Sequence, residues 1–370
     1  MTATPFDLPN LPSIGETTPW KTYGQLESQA LAVLARLDGM MIANAKADLF
    51  WITWLMKEAQ YSNVIEGTMT TFDEVIGESA GIVVSASRKD DVQEVLNYRD
   101  AMLDGLDEII SKKRHISLSF VKGLHSRLLK GARGMYKTPG EPRKVQVHIG
   151  RPGEGIEKAI YIPPNPFLLQ SLLDNWLSFL SRDDLNPIVQ AAVMHAQFEM
   201  IHPFLDGNGR MGRLLITLFL ADKKILSTPC FYMSAYLQSH RDRYYETIGM
   251  ISKNGDWDSW IKFFLNGVIE HCTANVNLLI NMTSLYEESK EKFANATNSS
   301  FAINSLDYIF ANPIFSIPGL RNAYRQNLSQ QVASQLVNKL TSAKLIEKVY
   351  SGVGRRPSVY RFPALLKLLS

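Results

Sequence analysis

The segment 202–213 constrains this chain more than any other, because its residues permit one local course of the backbone. Apolar residues at helical spacing precede it, and Pro203 disfavours a helical conformation at His202. Gly207 and Gly209 permit positive φ angles and a tight turn. A second apolar stripe at helical spacing follows. The sequence therefore predicts a helix, a glycine-rich loop and a second helix.

The same segment carries the residues of an anion site. At a glycine-rich loop before a helix, successive backbone N–H groups point into one concavity. Arg210 and Arg213 lie one helical turn apart and offer two cationic forks suited to phosphate oxygens. Asp206 is a hard oxygen ligand for Mg²⁺ shared with phosphates, and His202 can titrate near neutral pH. The combination indicates chemistry on a polyphosphate.

Residues 202–213, HPFLDGNGRMGR, are similar at every fixed position to the signature of the Fic family, His-x-Phe-x-Asp/Glu-Gly-Asn-Gly-Arg-x-x-Arg. The resemblance implies a mainly α fold, with a Fic helical core and a β-hairpin flap. It implies an ATP-dependent transfer of AMP to a Ser, Thr or Tyr hydroxyl of a protein, the chain itself included. His202 would be the general base and Asp206 the Mg²⁺ ligand. The residues that would hold the phosphates of ATP are Gly207, Asn208, Gly209, Arg210 and Arg213.

Residues 62–67, SNVIEG, end the second predicted helix with an acid at Glu66, where it opposes the helix dipole and needs a partner. The stretch resembles the inhibitory motif Ser/Thr-x-x-x-Glu-Gly/Asn of Fic proteins, with Ser62 in first place. The resemblance implies that Glu66 pairs with Arg213 and keeps the γ-phosphate from settling productively. It also leaves removal of AMP open as a reverse activity.

Two further segments fit the resemblance. Apolar residues alternate over 145–149 and resume at 160–162 after a turn-rich stretch that includes Arg151-Pro152, which predicts a β-hairpin. This hairpin would be the family's flap, which in relatives holds an extended target segment by strand addition. The stretch 241–245 resembles one that closes over the nucleoside, so Tyr244 or Tyr245 is a candidate for stacking on adenine.

The pattern divides the chain into an N-terminal helical region with the inhibitory helix (1–110), a Fic catalytic core (111–294) and a C-terminal module (301–370), with a small polar linker at 295–300. In the module, three predicted helices precede two strand-like pieces joined by a basic tip, the order of a winged-helix domain. Its 70 residues carry nine Lys or Arg and two acids, a net charge of +7. That charge suits DNA, but a winged helix serves equally as a protein-interaction or homodimer module.

Composition and the N-terminal residues predict the cellular location of the protein. Hydrophobic residues make up 45% of the chain and charged residues 20%, as in soluble globular proteins. The N-terminus has no basic and apolar signal regions, and the most apolar stretch, near 214–221, is too short to span a bilayer. Cys230 and Cys272 form no Cys-x-x-Cys pair. We therefore expect a cytoplasmic protein with no membrane association.

Two other functions stay open at this point. The signature fixes a diphosphate and not a base, so another nucleotide or a phosphate moiety could be transferred. The basic tail motivates a DNA-binding regulator whose core senses nucleotide.

His195, Glu199 and His202 fall on one helical face, but their spacing matches no zinc-protease motif, and we interpret His195 and Glu199 as packing residues.

Overall fold

The structure, a computed structural model, describes residues 4–80, 85–150, 153–324, 328–352, 354 and 356–369. Helix predominates in this part of the chain, as the sequence predicts, and none of its helices is both long and apolar enough to cross a membrane. The helices are α1 (Gln25–Ala43), α2 (Ala47–Ile65), α3 (Phe72–Ser79), α4 (Lys89–Leu106), α5 (Leu118–Leu128), α6 (Leu169–Leu180), α7 (Pro187–Ile201), α8 (Asn208–Asp222), α9 (Ser234–Ser239), α10 (Arg241–Asn254), α11 (Trp257–Thr297), α12 (Ala302–Ala311), α13 (Ile317–Ala323), α14 (Gln330–Ser342) and α15 (Pro363–Leu369). The strands are β1 (Ile314–Ser316), β2 (Glu347–Tyr350) and β3 (Val359–Arg361).

Helices α7 and α8 pack side by side at the centre of the molecule. Nearly every residue of α7 is buried, and so are most residues of α8. A helix that is buried on all sides belongs to a protein core rather than to its surface. The loop at 202–207 is therefore held at both ends by core helices, which fixes the position of the predicted site.

Helix α2 packs against α8 of this central pair and against α4, α9 and α12. Its side chains are buried on several faces, among them Phe50, Trp54 and Ala59. Helix α1 instead buries one stripe against α11, which at 41 residues is the longest helix described. The C-terminal end of α2, which carries the predicted inhibitory residues, is thus anchored firmly beside the loop.

The predicted hairpin at 145–162 is present as a single antiparallel bridge rather than as two strands. Ile149 and Tyr161 form the bridge, with a hydrogen bond of 2.8 Å from the amide of Ile149 to the carbonyl oxygen of Tyr161. Pro163 and Pro164 follow at once and lack the N–H groups that a longer ladder needs. The predicted turn residues Arg151 and Pro152 lie outside the described residues.

The predicted linker at 295–300 is shorter than expected. Helix α11 continues to Thr297, Asn298 ends it with a left-handed φ of 45°, and α12 begins at Ala302. The hydrophobic core is continuous across this turn. In it Phe310 packs on Phe50 with ring centroids 5.9 Å apart. The division of the chain at 294 and 301 therefore does not coincide with separate cores, and the domain boundaries stay a prediction.

The C-terminal elements follow the predicted order of three helices and then two strands. The sequence analysis missed β1 and α15, which are only three and seven residues long. The three strands form an antiparallel sheet in the order β1-β3-β2. The basic tip between β2 and β3 includes Val353 and Arg355, which lie outside the described residues. The winged-helix assignment stays a prediction.

Several cations of this module have partners inside the protein. Arg321 donates to the carbonyl oxygen of Leu328 (3.1 Å), and Lys339 donates to that of Thr297 (2.7 Å). Arg361 pairs with Glu347 at 2.8 Å. These contacts hold the three cations against the protein, but they leave the module's net charge of +7 unchanged, because Glu347 is already counted in it. DNA binding stays a prediction.

Candidate functional site

The end of α7 places His202 at the edge of the site. The helix begins with the side chain of Asn186, which accepts a hydrogen bond of 3.0 Å from the amide of Ile188, and with Pro187 in its first turn. It ends at His202, which adopts a left-handed conformation with φ 49°. A left-handed non-glycine residue is uncommon and is tolerated where the surroundings fix it. The chain reverses there, before Pro203.

The loop after His202 is closed by its own side chains. Gly207 adopts φ +77°, and α8 begins at the next residue. The side chain of Asn208 accepts from the amide of Phe204 and donates to its carbonyl oxygen, both at 2.9 Å. Because its side-chain amide is engaged in these two bonds, Asn208 holds the loop in shape. The groups left to donate hydrogen bonds to a phosphate are the backbone N–H groups at the start of α8.

His125 supports this loop from α5, although no motif in the sequence indicated this role. Its ring stacks on Phe204, with centroids 3.7 Å apart and an angle of 7°. The ring nitrogen Nδ1 accepts from the amide of Gly140 (2.8 Å), so Nε2 carries the proton and donates to the carbonyl oxygen of Asp206 (2.9 Å). Burial lowers the pKa of His125 to about 4, which keeps this neutral tautomer in place.

Arg210 is buried in a network that reaches α2 and α4. Its Nη1 donates to Glu94 (3.0 Å) and to Asn63 (3.3 Å), and its Nη2 lies 3.5 Å from Asp206. Glu94 also receives Arg133 at 3.0 Å. Glu94 could not be predicted from the sequence, because a carboxylate on a helix more than a hundred residues away carries no local sign of its partner. Arg210 is thereby held as a fixed cation beside the loop.

Arg213 donates three hydrogen bonds to residues at the end of α2. Its Nε donates to the hydroxyl of Ser62 (2.9 Å), and its Nη2 donates to the carbonyl oxygen of Ser62 (2.9 Å). The same Nη2 donates to Oε1 of Glu66 at 2.6 Å. The structure thus contains the ion pair that the inhibitory motif implied, and it uses both predicted residues of α2.

The Glu66 carboxylate lies over the start of α8. A Cβ atom added at Gly209 would overlap with Oε1 of Glu66. The carboxylate therefore occupies the place where an anion would meet the backbone of the glycine-rich loop. Burial alone would raise the pKa of Glu66, but the charge and hydrogen bond of Arg213 outweigh it, and the pKa lies below its ordinary value. Glu66 is therefore ionised at neutral pH.

His202 is a neutral imidazole at physiological pH. Burial is the main cause that lowers its pKa to about 4, and the charge of Arg143 contributes. Arg143, which the sequence analysis also missed, donates from Nε to the carbonyl oxygen of His202 (2.9 Å). Nδ1 of His202 has no hydrogen-bond partner among the described residues. A fixed neutral imidazole is suited to accept a proton.

The two tyrosines predicted for adenine stacking have different environments. Tyr244 is 1% exposed, its hydroxyl lies 3.0 Å from Nε2 of His195, and Trp260 packs beside its ring. Its ring has no exposed face for a nucleobase in this structure, which argues against Tyr244 as the stacking residue. Tyr245 is 46% exposed and lies under the guanidinium of Arg241 at 5.2 Å. Tyr245 stays a candidate for adenine.

Asp206 could hold a divalent cation together with a ligand. Its side chain is 41% exposed. Among the residues described, no three His, Cys, Asp or Glu side chains are grouped closely enough to hold a metal by themselves. Mg²⁺ commonly binds through one or two carboxylates and completes its shell with phosphate oxygens and water. The residues present therefore fit a Mg²⁺ that arrives with a polyphosphate.

Two models of the Fic/DOC family match this chain. The Fic/DOC family model matches residues 115–220, and the model of the family's N-terminal region matches residues 25–107. Together they cover about half of the chain, including α2, α7 and the loop.

Curated relatives carry the name protein adenylyltransferase. The Drosophila grimshawi protein is 30% identical over 173 residues, which is 44% of this chain and 33% of that protein. The Caenorhabditis elegans protein is 32% identical over 146 residues, 38% of this chain and 26% of the relative. The chain thus spans about a third or less of the length of these relatives.

Solved structures share the fold. A Fic family protein from Desulfovibrio desulfuricans aligns over 94% of this chain and 98% of its own, with a TM-score of 0.60 and 20% identity. Fic-1 from C. elegans aligns over 70% of this chain and 74% of its own, with a TM-score of 0.56 and 18% identity. The fold is thus that of these structures, and the match of both family models shows that this chain belongs to the Fic/DOC family.

Proposed function

We propose that this protein is a Mg²⁺-dependent AMP transferase that uses ATP to adenylylate a hydroxyl of a protein, itself included, and that Glu66 inhibits it. One observation carries the proposal. A carboxylate from α2 occupies the anion position of the glycine-rich loop and binds Arg213, within the same site as the neutral His202. The names of the relatives support transfer of AMP to proteins.

The chemistry follows from the side chains. A Ser, Thr or Tyr hydroxyl of the target gives its proton to His202 as its oxygen attacks the α-phosphorus of ATP in line, and pyrophosphate leaves. Arg210 and Arg213 hold the outer phosphates as fixed cations, and the N–H groups at the start of α8 hold phosphate oxygens. Mg²⁺ held by Asp206 would neutralise phosphate charge when bound.

Inhibition follows from the same contacts. Glu66 takes the donor of Arg213 that the γ-phosphate needs, and its negative charge repels phosphate from the loop. Its side chain is 35% exposed, so the carboxylate can leave without a rearrangement of the core. The segment 145–162 lies beside the end of α7 in space, since the Tyr161 hydroxyl donates a hydrogen bond of 2.9 Å to the carbonyl oxygen of Met200. It exposes Val145 (58%) and Ile160 (72%), which fits a surface for the target chain.

The reaction class is tested by the position of the label. We expect α-³²P-ATP with Mg²⁺ to label the Glu66→Gly protein and γ-³²P-ATP to leave it unlabelled, because the γ-phosphate departs with pyrophosphate. Labelling from the γ position would show phosphate transfer instead. Labelling only from another α-labelled nucleoside triphosphate would contradict ATP as the substrate.

Replacing Glu66 by Gly should raise the initial rate of self-labelling roughly ten- to hundredfold over wild type. A charge-assisted hydrogen bond contributes about 1.5–3 kcal/mol, and each 1.4 kcal/mol is a tenfold change. Glu66→Gln, which keeps the bulk but removes the charge, should raise the rate less. Glu288→Gln on α11, an exposed carboxylate far from the loop in sequence, is the control and should match wild type. Equal rates for wild type and Glu66→Gly would contradict the inhibitory role.

Transfer by the Glu66→Gly protein should stay constant as the pH falls from 7 to 5. The base works only when unprotonated, and the pKa of His202 is lowered to about 4, so activity is lost only as the pH falls through that value. Initial labelling rates would be measured in steps of pH, with far-UV circular dichroism to confirm folding at each step. A decline centred near pH 6.5 would contradict the buried neutral base.

A further inference from the structure

Glu199 lies inside the site, although its spacing in the sequence indicated packing. It stands on α7 nearly one turn before His202, and its side chain is 14% exposed. Its carboxyl group lies over Gly212 of α8, where a Cβ atom would come within 2.5 Å of Oε1. Position 212 is a variable place in the signature, so the absence of a side chain there makes room for this carboxyl.

The Glu199 carboxyl lacks a hydrogen-bond partner among the described residues of the protein. Oε1 of Glu199 is buried and has no hydrogen-bond partner in the described part of the chain. An unpaired buried polar atom needs a physical explanation, and a ligand or water that completes its hydrogen bond is one. Nδ1 of His202 and Nε of Arg210 are unpaired and buried in the same way. Three of the unpaired buried atoms thus belong to residues in or beside the loop, where a polar ligand could complete them.

The charged and titratable groups that face Glu199 come from four helices. Arg213 faces it from α8, and Glu66 faces it from α2. Tyr244 and Tyr245 face it from α10, and His195 lies 4.0 Å away on α7 itself. The one cation in this set, Arg213, is already bound by Ser62 and Glu66.

Glu199 is therefore held as the neutral acid. Burial raises its pKa to about 8, the attraction of Arg213 opposes this, and Glu66 adds repulsion. Burial lowers the pKa of His195 to about 3, so that ring supplies no positive charge. When ATP replaces Glu66, its phosphates bring negative charge to the same place and favour the neutral acid further.

We propose that Glu199 is a substrate-contacting residue that binds ATP as the uncharged carboxylic acid and donates a hydrogen bond to a phosphate oxygen beside Arg213. This rests on the proposed function, because it requires that Arg213 holds the outer phosphates. A carboxylate at this position would repel the phosphates, whereas a carboxylic acid adds a donor. ATP affinity therefore falls as the pH rises and the acid ionises.

The test is equilibrium binding of the ATP analogue with a methylene group in place of the α–β bridging oxygen, measured with Mg²⁺ by calorimetry from pH 7.5 to 9.5. In the Glu66→Gly protein the dissociation constant should rise about tenfold or more over this range, because the neutral acid is depleted. The pKa of Glu199 is raised to about 8 while Glu66 is present, and loss of the Glu66 charge lowers it, so the depletion is at least as complete in this variant. Glu66→Gly/Glu199→Gln, whose amide stays a neutral donor, should bind with an affinity that changes less than about threefold over the same range. Glu66→Gly/Glu288→Gln should keep the full rise.

Gly212→Ala is a second, independent variant in the Glu66→Gly background. Its Cβ would displace the Glu199 carboxyl, so binding at pH 7.5 should weaken and the rise with pH should shrink. Thermal melting of each variant shows that it is folded.

The inference is overturned if Glu66→Gly/Glu199→Gln loses affinity with pH as steeply as Glu66→Gly does, or if Glu66→Gly shows no loss. If Glu66→Gly binds no analogue and takes no label from α-³²P-ATP, the proposed function fails and this inference fails with it. If Glu66→Gly takes label from α-³²P-ATP but Glu66→Gly/Glu199→Gln loses analogue affinity with pH as steeply as its parent, only the role of Glu199 is refuted and the proposed function stands.

Discussion

Replacing His202 by alanine in the Glu66→Gly protein should lower the rate of AMP transfer by about 10²–10⁴-fold. The left-handed backbone at position 202, the hydrogen bond from Arg143 to its carbonyl oxygen and the lowered pKa together fix an unprotonated imidazole at the loop. Alanine keeps the turn but cannot accept the proton of the target hydroxyl. Initial rates of labelling from α-³²P-ATP measure the effect.

Measuring the binding of an ATP analogue distinguishes the loss of the general base from the loss of the ATP site. The same His202→Ala protein should bind the methylene analogue of ATP within about threefold of its parent, because the phosphates are held by the loop and the arginines. His202→Gln, which restores volume but no base, should be as slow as alanine. Transfer at more than about a tenth of the parent rate would mean that another group takes the proton.

Replacing Arg213 by alanine should abolish transfer in both the wild-type and the Glu66→Gly background, with a loss of about 10²–10³-fold from the latter. Arg213 has two roles, as partner of Glu66 and as cation for the outer phosphates, so releasing the inhibition cannot rescue its loss. The double variant Glu66→Gly/Arg213→Ala should be as slow as Arg213→Ala alone.

Lysine tests the shape of the cation at this position. Arg213→Lys keeps the charge but loses the planar fork, so we expect an intermediate loss of about tenfold in the Glu66→Gly background. Rates would be measured at saturating and at low ATP, because a lost phosphate contact should raise KM as well as lower kcat. Full turnover by Glu66→Gly/Arg213→Ala would show that Arg213 does not hold the phosphates.

The sequence by itself determined the local course of the site. Asn186 and Pro187 start α7, Pro203 forces the chain out of it, and Gly207 allows the left-handed turn into α8. Each of these effects acts within a turn or two of backbone, so it can be read from neighbouring residues. The spacing of Arg210 and Arg213 on the new helix follows from the helical period.

Only the tertiary structure decided which groups meet across the chain. Glu66 and Arg213 are 147 residues apart, and Glu94 reaches Arg210 across 116 residues. The family resemblance indicated the first contact, but no pattern in the sequence indicated the second. Such contacts depend on how α2 and α4 pack against α8, which local propensity does not encode.

Burial was likewise decided by packing. Tyr244 and Tyr245 are neighbours in the sequence, yet the first lies in the core against His195 and the second stays half exposed. The spacing of Glu199 in the sequence indicated a packing residue. In the structure its carboxyl lies among the groups of the site, and its raised pKa keeps it neutral. The charge state of a side chain depends on the water and charges around it, and both are set by the assembled fold rather than by the adjacent residues.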